Sequence, residues 1–203
     1  TLGGTLLGQG NIGKSGNGTL VLSGNNRASG SNITDITIAG GTLSFSANTN
    51  LGPNPNSGSF PNFITLVNNA TLSTNASPTL DGNMSIFVNG NGILNVGAGQ
   101  TLTLSGTPLE GSGNLYKTGT GNITSSATAS TLTGNIFIQE GFLITTASGN
   151  TFGLAGGASS VYLQGAGSGY WDNGNGSNDA DNLVITPNPN GGNNTSFFYT
   201  MSK

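Results

Sequence analysis

One stretch of the sequence decides the fold: residues 10–20, GNIGKSGNGTL, return about one hundred residues later as residues 113–123, GNLYKTGTGNI. Self-similarity over such a long period is typical of proteins that stack supersecondary units into an array. Further pairs follow in the same order, such as ITIAGGTL at residues 36–43 and IQEGFL at residues 138–143. The chain is therefore predicted to be a tandem array.

The two copies divide the chain near residue 103. We predict a first β-helical unit over residues 1–102 and a second over residues 103–203, continuous with the first in one solenoid. A solenoid presents an extended surface of repeating coils, whereas a globular enzyme presents one pocket. Function is therefore expected to reside in the outer surface.

Short apolar segments about ten residues apart predict β-strands, for example LVL at residues 20–22 and IFI at residues 136–138. The Gly, Asn, Ser and Thr residues between them favour turns and are poor helix formers. The chain is therefore expected to be all-β. An antiparallel sandwich or barrel and a parallel β-helix both fit the strands, and the repeat favours the β-helix. At roughly 20 residues a coil, we predict about ten coils stacked ~4.8 Å apart.

Composition excludes several classes of partner and chemistry. The net charge is −3, and the four cations are Lys14, Arg27, Lys117 and Lys203, too few to follow a phosphate backbone. We therefore expect no nucleic-acid partner. No apolar run approaches the ~20 residues that span a bilayer, so membrane insertion is not expected. The chain has no Cys and no His, which excludes disulfides, thiolate chemistry and imidazole catalysis.

Residues 14–25, KSGNGTLVLSGN, closely resemble the autotransporter-associated β-strand repeat of bacterial surface passengers, whose core pattern is KTGxGTLxLSG. Residues 36–43 resemble the closing strand of that repeat, and GILNVGAGQTLTLSG at residues 92–106 resembles its lead-in. The second copy, residues 117–143, is degenerate, with ITSS at residues 123–126 in place of LxLS. The resemblance implies a right-handed parallel β-helix in an extracellular or bacterial cell-surface location. It implies no chemistry, because the repeat is a structural unit.

The acidic segment DNGNGSNDAD at residues 172–181 is the one place where carboxylates cluster. Its hard oxygen donors suit Ca²⁺, although the spacing is not that of an EF-hand and a solvated turn is the plain alternative. The candidate calcium ligands are Asp172, Asn175, Asp179 and Asp181. No other cofactor is expected. No carboxylate pair stands beside a basic residue, so we expect no enzyme.

Aromatic residues concentrate near this segment and near the C-terminus. Tyr170 and Trp171 are candidates to stack on a ligand, or alternatively to cover the end of the apolar column. The C-terminal aromatics have the same alternatives, with strand pairing to a next subunit as a third. An end coil exposes unpaired backbone groups, which makes both ends candidate assembly surfaces. The candidate assembly residues are Thr1, Leu2, Leu6, Leu7, Phe197, Phe198, Tyr199 and Met201.

These features favour a non-catalytic extracellular structural or adhesive β-solenoid, a stalk or fibre subunit that stacks head-to-tail into filaments. The expected partners are copies of itself end to end, flanking segments of a longer chain, and cell-surface glycans. An ice-binding solenoid is an alternative, motivated by low charge and by TLT at residues 101–103 and 131–133. A polysaccharide-binding or polysaccharide-degrading β-helix is a further alternative.

Overall fold

The chain winds into a β-solenoid built from three parallel sheets, and its central coils contribute one strand to each of them. Helix is almost absent: the described residues contain one short 3-10 helix, Asn48–Leu51. The expectation of an all-β chain with parallel coils is therefore confirmed, and the antiparallel alternative is wrong. The computed structural model describes residues 1–27, 31–52, 62–147, 151–153, 160–165, 167–172, 183–185 and 199–200.

Every paired strand among the described residues is parallel to its neighbour, and each sheet contains strands from successive coils. Sheet A contains β2 (Thr19–Leu22), β4 (Thr42–Phe45), β6 (Ala70–Thr74), β9 (Asn91–Val96), β12 (Asn114–Thr118), β14 (Ile136–Ile138), β16 (Val161–Leu163) and β18 (Leu183–Ile185). Sheet B contains β1 (Gly8–Lys14), β3 (Ser31–Ile38), β5 (Asn62–Val67), β8 (Met84–Asn89) and β11 (Leu109–Gly111). Sheet C contains β7 (Thr79–Asp81), β10 (Thr101–Ser105), β13 (Asn122–Ser125), β15 (Phe142–Thr145), β17 (Gly169–Asp172) and β19 (Tyr199–Thr200).

The number of coils differs from the prediction. The solenoid makes about six turns, not ten. The estimate failed because a coil is longer than the 20 residues assumed: Thr19 pairs with Thr42, and Thr42 pairs with Thr71. These two turns take 23 and 29 residues.

The core is a set of apolar columns that run along the solenoid axis. Side chains alternate inward and outward along each strand, as the burial pattern of β9 shows. In sheet A, Leu43, Leu72 and Leu94 lie directly above one another and are almost fully buried. The next inward position of that column is Lys117, and Ile138 follows it. In sheet B, Lys14 lies in the same kind of inward column, next to Ile38.

Among the described residues the first two coils have no strand in sheet C, and that side of them is held by buried polar side chains. Near the N-terminus, the Asn26 side chain donates to the Asn50 carbonyl oxygen at 2.6 Å. The Asn50 side chain donates to the Gly24 carbonyl oxygen at 3.0 Å and accepts from the backbone N–H of Ser46 and of Ala47. Since an unpaired buried backbone group is costly, these amides replace the hydrogen bonds that a sheet would supply.

The second half of the chain has a comparable irregular side built from hydroxyl groups. The Ser130 Oγ accepts from the Leu109 backbone N–H at 3.0 Å and donates to the Thr151 carbonyl oxygen at 2.6 Å. Phe152 is fully buried beside this contact. Short polar side chains therefore connect successive coils wherever the sheet is interrupted.

The two sequence copies lie in different sheets. Lys14 is in β1 of sheet B, whereas its counterpart Lys117 is in β12 of sheet A. In sheet B, β11 lies four strands above β1, in the order β1, β3, β5, β8, β11. The next strand along the chain is β12. The repeat period is therefore four coils plus one side, which rotates the second copy by one sheet. The predicted unit boundary falls inside β10, and all three sheets pair across it.

Candidate functional site

The outer face of sheet A carries an ordered, uncharged set of side chains, which we call the ladder face. Its five rows are the outward positions of β6, β9, β12, β14 and β16 together with the residues just before β6 and β14, and the register of the strands aligns them in columns. The central column is Thr71, Ile93, Tyr116, Phe137 and Tyr162; the amide column is Asn69, Asn91, Asn114 and Asn135; the hydroxyl column begins with Ser73, Asn95 and Thr118.

Three aromatic rings stack in the central column. The ring centroids of Tyr116 and Phe137 are 4.9 Å apart with an interplanar angle of 16°. The rings of Phe137 and Tyr162 repeat that geometry at 4.9 Å and 19°. This separation matches the strand spacing of about 4.8 Å, so the stack is a direct product of parallel register. Each offset-stacked pair contributes roughly 0.5–1.5 kcal/mol beyond the area it buries.

The amide column is a chain of hydrogen bonds between consecutive coils. The Asn91 side chain donates to the Asn69 Oδ1 at 3.1 Å, and the Asn114 side chain donates to the Asn91 Oδ1 at 3.4 Å. The backbone N–H of Asn135 then donates to the Asn114 Oδ1 at 3.0 Å. The chain of bonds fixes the orientation of each amide. One hydrogen of each donating NH₂ group lies in the ladder, and the other points elsewhere.

The hydroxyl column repeats this arrangement on the other side of the rings. The Ser73 Oγ donates to the Asn95 Oδ1 at 3.2 Å, and the Asn95 side chain donates to the Thr118 Oγ1 at 2.9 Å. Tyr116 is therefore flanked on both sides by aligned donors and acceptors, and the amide column continues beside Phe137 with Asn135. Such a surface can bind by packing and hydrogen bonding, and its outward side chains include no Asp, Glu, Lys or Arg.

Lys117 supports the ladder face from the inside. Its stem fills the inward column and its Nζ donates to the carbonyl oxygens of Thr118 at 2.8 Å, Gly119 at 2.6 Å and Glu140 at 3.0 Å. Burial lowers the pKa of Lys117 to about 8, and the negative charge of Glu140 opposes that effect. The ammonium group thus ties the corner after β12 to the corner of the next coil.

The structure places an ion pair on the irregular side, away from the ladder face. The Arg27 Nη1 lies 3.0 Å from the Asp81 Oδ2, and Asn48 donates to the same oxygen at 2.8 Å. Burial alone would raise the pKa of Asp81, but the hydrogen bond and charge of Arg27 outweigh it and hold the pKa below its usual value. Within the described part of the chain, no three acidic residues come together to form a metal site.

The predicted calcium residues are placed only in part. Asp172 ends β17, where its backbone pairs with Thr145 and Thr200. Asn175, Asp179 and Asp181 lie outside the described residues, so the calcium site stays a prediction.

The two residues predicted to stack on a ligand point to opposite sides of sheet C. Tyr170 is buried, and its ring packs edge-on against Phe152 with centroids 6.3 Å apart. It therefore offers no ring face to an outside ligand, because alternation along β17 turns it into the core. Trp171, the next residue, is 41% exposed on the outer face.

The predicted assembly residues at the N-terminus are mostly exposed. Leu2 is 44% and Leu7 73% exposed, Thr1 is exposed, and Leu6 is half-buried. Leu2 forms an isolated parallel bridge with Leu22. At the other end, Tyr199 belongs to β19, which pairs with β17, whereas Phe197, Phe198 and Met201 lie outside the described residues.

The threonine pairs behind the ice-binding alternative do not form one array. Thr101 and Thr103 lie in β10 of sheet C, where Thr103 is flanked by Thr79 and Thr124. The column then continues with Ile144. The second pair, at residues 131–133, lies outside any strand.

The sequence prediction missed the ladder face. The signal was present in the triplets LYK, IFI and VYL at residues 115–117, 136–138 and 161–163, each an aromatic residue between two inward residues. None of the described helical structure has the length and apolar character of a membrane span. Comparison with known proteins adds no relative: no family model, no curated protein and no solved structure matches the chain.

Proposed function

We propose that the chain is a non-catalytic structural and adhesive β-solenoid, a stalk or fibre segment on a bacterial exterior. Its outer faces make the contacts, and its backbone stack supplies the rigidity. The resemblance to the autotransporter-associated repeat supports the extracellular location and the right-handed winding of the coils. Both belong to this proposal.

The observation that carries the proposal is the register of the ladder face. Five consecutive strands align uncharged side chains in columns: three of them stack aromatic rings in the central column, and amides and hydroxyls beside that column are bonded from coil to coil. A single catalytic centre needs no such repetition, whereas a contact surface gains area and multivalency with every coil.

Head-to-tail stacking is the second element of the proposal. Leu2 and Leu7 are exposed beside the first coil, where β1 pairs with a strand on one side only and the outer edge of β2 is met by the isolated bridge of Leu2, among the described residues. A further parallel coil, from another copy or from a longer chain, would pair with these edges and cover the leucines.

Bead adhesion under flow tests the proposal. Latex beads coated with the folded chain are passed over glass, cell monolayers and polysaccharide films, and retention is measured against increasing shear. We expect retention on at least one surface at a shear that removes beads coated with the thermally unfolded chain. Electron microscopy of the free chain at high concentration tests stacking, with end-to-end filaments as the expected result.

Two results would overturn the proposal. The first is equal loss of folded and unfolded beads from every surface together with isolated short particles in the microscope. The second is release of new reducing ends from a polysaccharide by the purified chain, because a non-catalytic scaffold breaks no glycosidic bond.

A further inference from the structure

We propose that the ladder face binds a neutral polysaccharide chain that lies along the solenoid axis. This inference rests on the proposed adhesive function and names its partner and its surface. A polysaccharide combines apolar C–H faces with hydroxyl groups at regular intervals, and the ladder face combines an apolar ridge with aligned amides and hydroxyls.

Charge selects a neutral partner. The outward residues of the five rows are Asn, Thr, Ser, Ile, Gln and aromatic residues, with no charged side chain among them. Lys117 points inward and its Nζ is occupied by three carbonyl oxygens. The outer face of sheet B differs, because it carries Asp35 and Glu110. An ionic polymer therefore finds no group of opposite charge to pair with on sheet A. A neutral polymer binds there without removing water from any charged group.

The aromatic ridge provides the packing surface. Ile93, Tyr116, Phe137 and Tyr162 are half-buried and span three strand spacings, about 14 Å. In the offset stack each ring covers only part of its neighbour, so ring edges and part of the faces stay uncovered. Apolar C–H groups of sugar rings pack on such surfaces, and the ridge is long enough for several consecutive sugar units.

The flanking columns provide the hydrogen bonds. An asparagine amide has two N–H donors and an oxygen with two lone pairs, and the ladder bonds between Asn69, Asn91 and Asn114 use only part of that capacity. The amides are already oriented by one another. Binding a ligand therefore costs the protein little additional side-chain entropy.

Repetition selects a polymer over a single sugar. Aromatic rings recur on three successive strands and aligned asparagines on four, about 4.8 Å apart, so a linear ligand contacts several rows at once. Each row adds a weak interaction, and a chain that meets several rows binds more tightly than its free monosaccharide.

Affinity gel electrophoresis tests the inference directly. The native chain is run through gels containing soluble mixed-linkage β-glucan, galactomannan or, as an anionic control, polygalacturonate. We expect retardation by at least one neutral polymer and none by polygalacturonate. Replacing Tyr116 and Tyr162 together by Val should weaken that binding about tenfold, since two stacking contacts are lost. The matched control is Phe87→Val, which removes a half-buried aromatic residue from the outer face of sheet B and should leave binding unchanged.

A second variant covers the case in which the tyrosine variant fails to fold. Thr118→Val keeps the shape of the side chain and removes its hydroxyl, and we expect binding about threefold weaker. Circular dichroism checks that each variant remains folded.

Three results would overturn the inference: no retardation by any neutral polymer, equal binding by the tyrosine variant and Phe87→Val, or a dimer that requires Tyr116 and Tyr162. Beads that adhere under flow without any glycan binding would remove this inference and leave the adhesive function standing.

Discussion

Lys14 and Lys117 bind backbone carbonyl oxygens in the same pattern, although they lie in different sheets. Each Nζ donates to the carbonyl of the next residue, to that of the following glycine, and to one carbonyl in the next coil. The repeated sequence therefore encodes a coil corner, which functions at more than one edge of the solenoid. The lysine pins two consecutive corners together without a carboxylate partner in contact.

The first prediction concerns this corner. Lys117→Met keeps an unbranched stem but leaves the carbonyl oxygens of Thr118, Gly119 and Glu140 without their shared donor. We expect the free energy of unfolding in urea to fall by about 2–4 kcal/mol. Lys14→Met removes the same contacts at a slightly exposed site beside the first coil, so we expect a smaller loss. Unchanged stability in Lys117→Met would show that the corner does not need its cation.

The second prediction concerns pH. The pKa of Lys117 is about 8 in the folded chain against 10.5 ordinarily, because burial disfavours the charge. Between these values the unfolded chain holds more protons than the folded chain, so this residue makes the free energy of unfolding rise with pH. We expect the stability difference between the wild type and Lys117→Met to grow from pH 8 to pH 10.5. A flat or falling difference would refute the lowered pKa.

The third prediction separates backbone strain from steric overlap. Gly141 has φ +67°, and a Cβ there would overlap the carbonyl oxygen of Gly121. Gly99 has φ +71° and open space where its Cβ would stand. We therefore expect Gly99→Ala to cost about 1 kcal/mol and Gly141→Ala several times as much, measured by urea unfolding. Equal losses would mean that the corners are not tightly stacked.

The fourth prediction concerns the irregular side. Asn50→Ala removes a buried side-chain donor and the acceptor of two partly buried backbone N–H groups. We expect a loss of about 2–4 kcal/mol in the free energy of unfolding. Asn91→Ala removes an amide from the outer ladder, where water replaces its bonds to Asn69 and Asn114, and should cost less than about 1 kcal/mol. A comparable loss in both variants would contradict the structural role of Asn50.

Local pattern was sufficient to locate strands. The apolar segments at residues 20–22, 36–38, 102–104 and 136–138 all lie in parallel strands, because alternating burial leaves its signature within a few residues. The coil count was wrong because it depends on corner length, which varies and has no apolar marker.

Lateral neighbours were harder to predict than strands. Tyr116, Phe137 and Tyr162 stack only because their strands pair in register. The sequence of one strand does not predict which strand it pairs with. The sequence could not predict which of Tyr170 and Trp171 is buried either. The two residues are adjacent, and only the register of β17 decides which one faces the core.

Distances along one column test the central claim, that consecutive coils stack in parallel register. Val21, Ser44, Ser73, Asn95 and Thr118 follow one another at equivalent positions of sheet A. Electron paramagnetic resonance on spin labels at Val21 paired with Ser73, with Asn95 or with Thr118 should give backbone separations of about 10, 14 and 19 Å, one strand spacing per step. Distances that do not increase in this order, as in a sheet of antiparallel hairpins, would contradict the solenoid and the ladder face built on it.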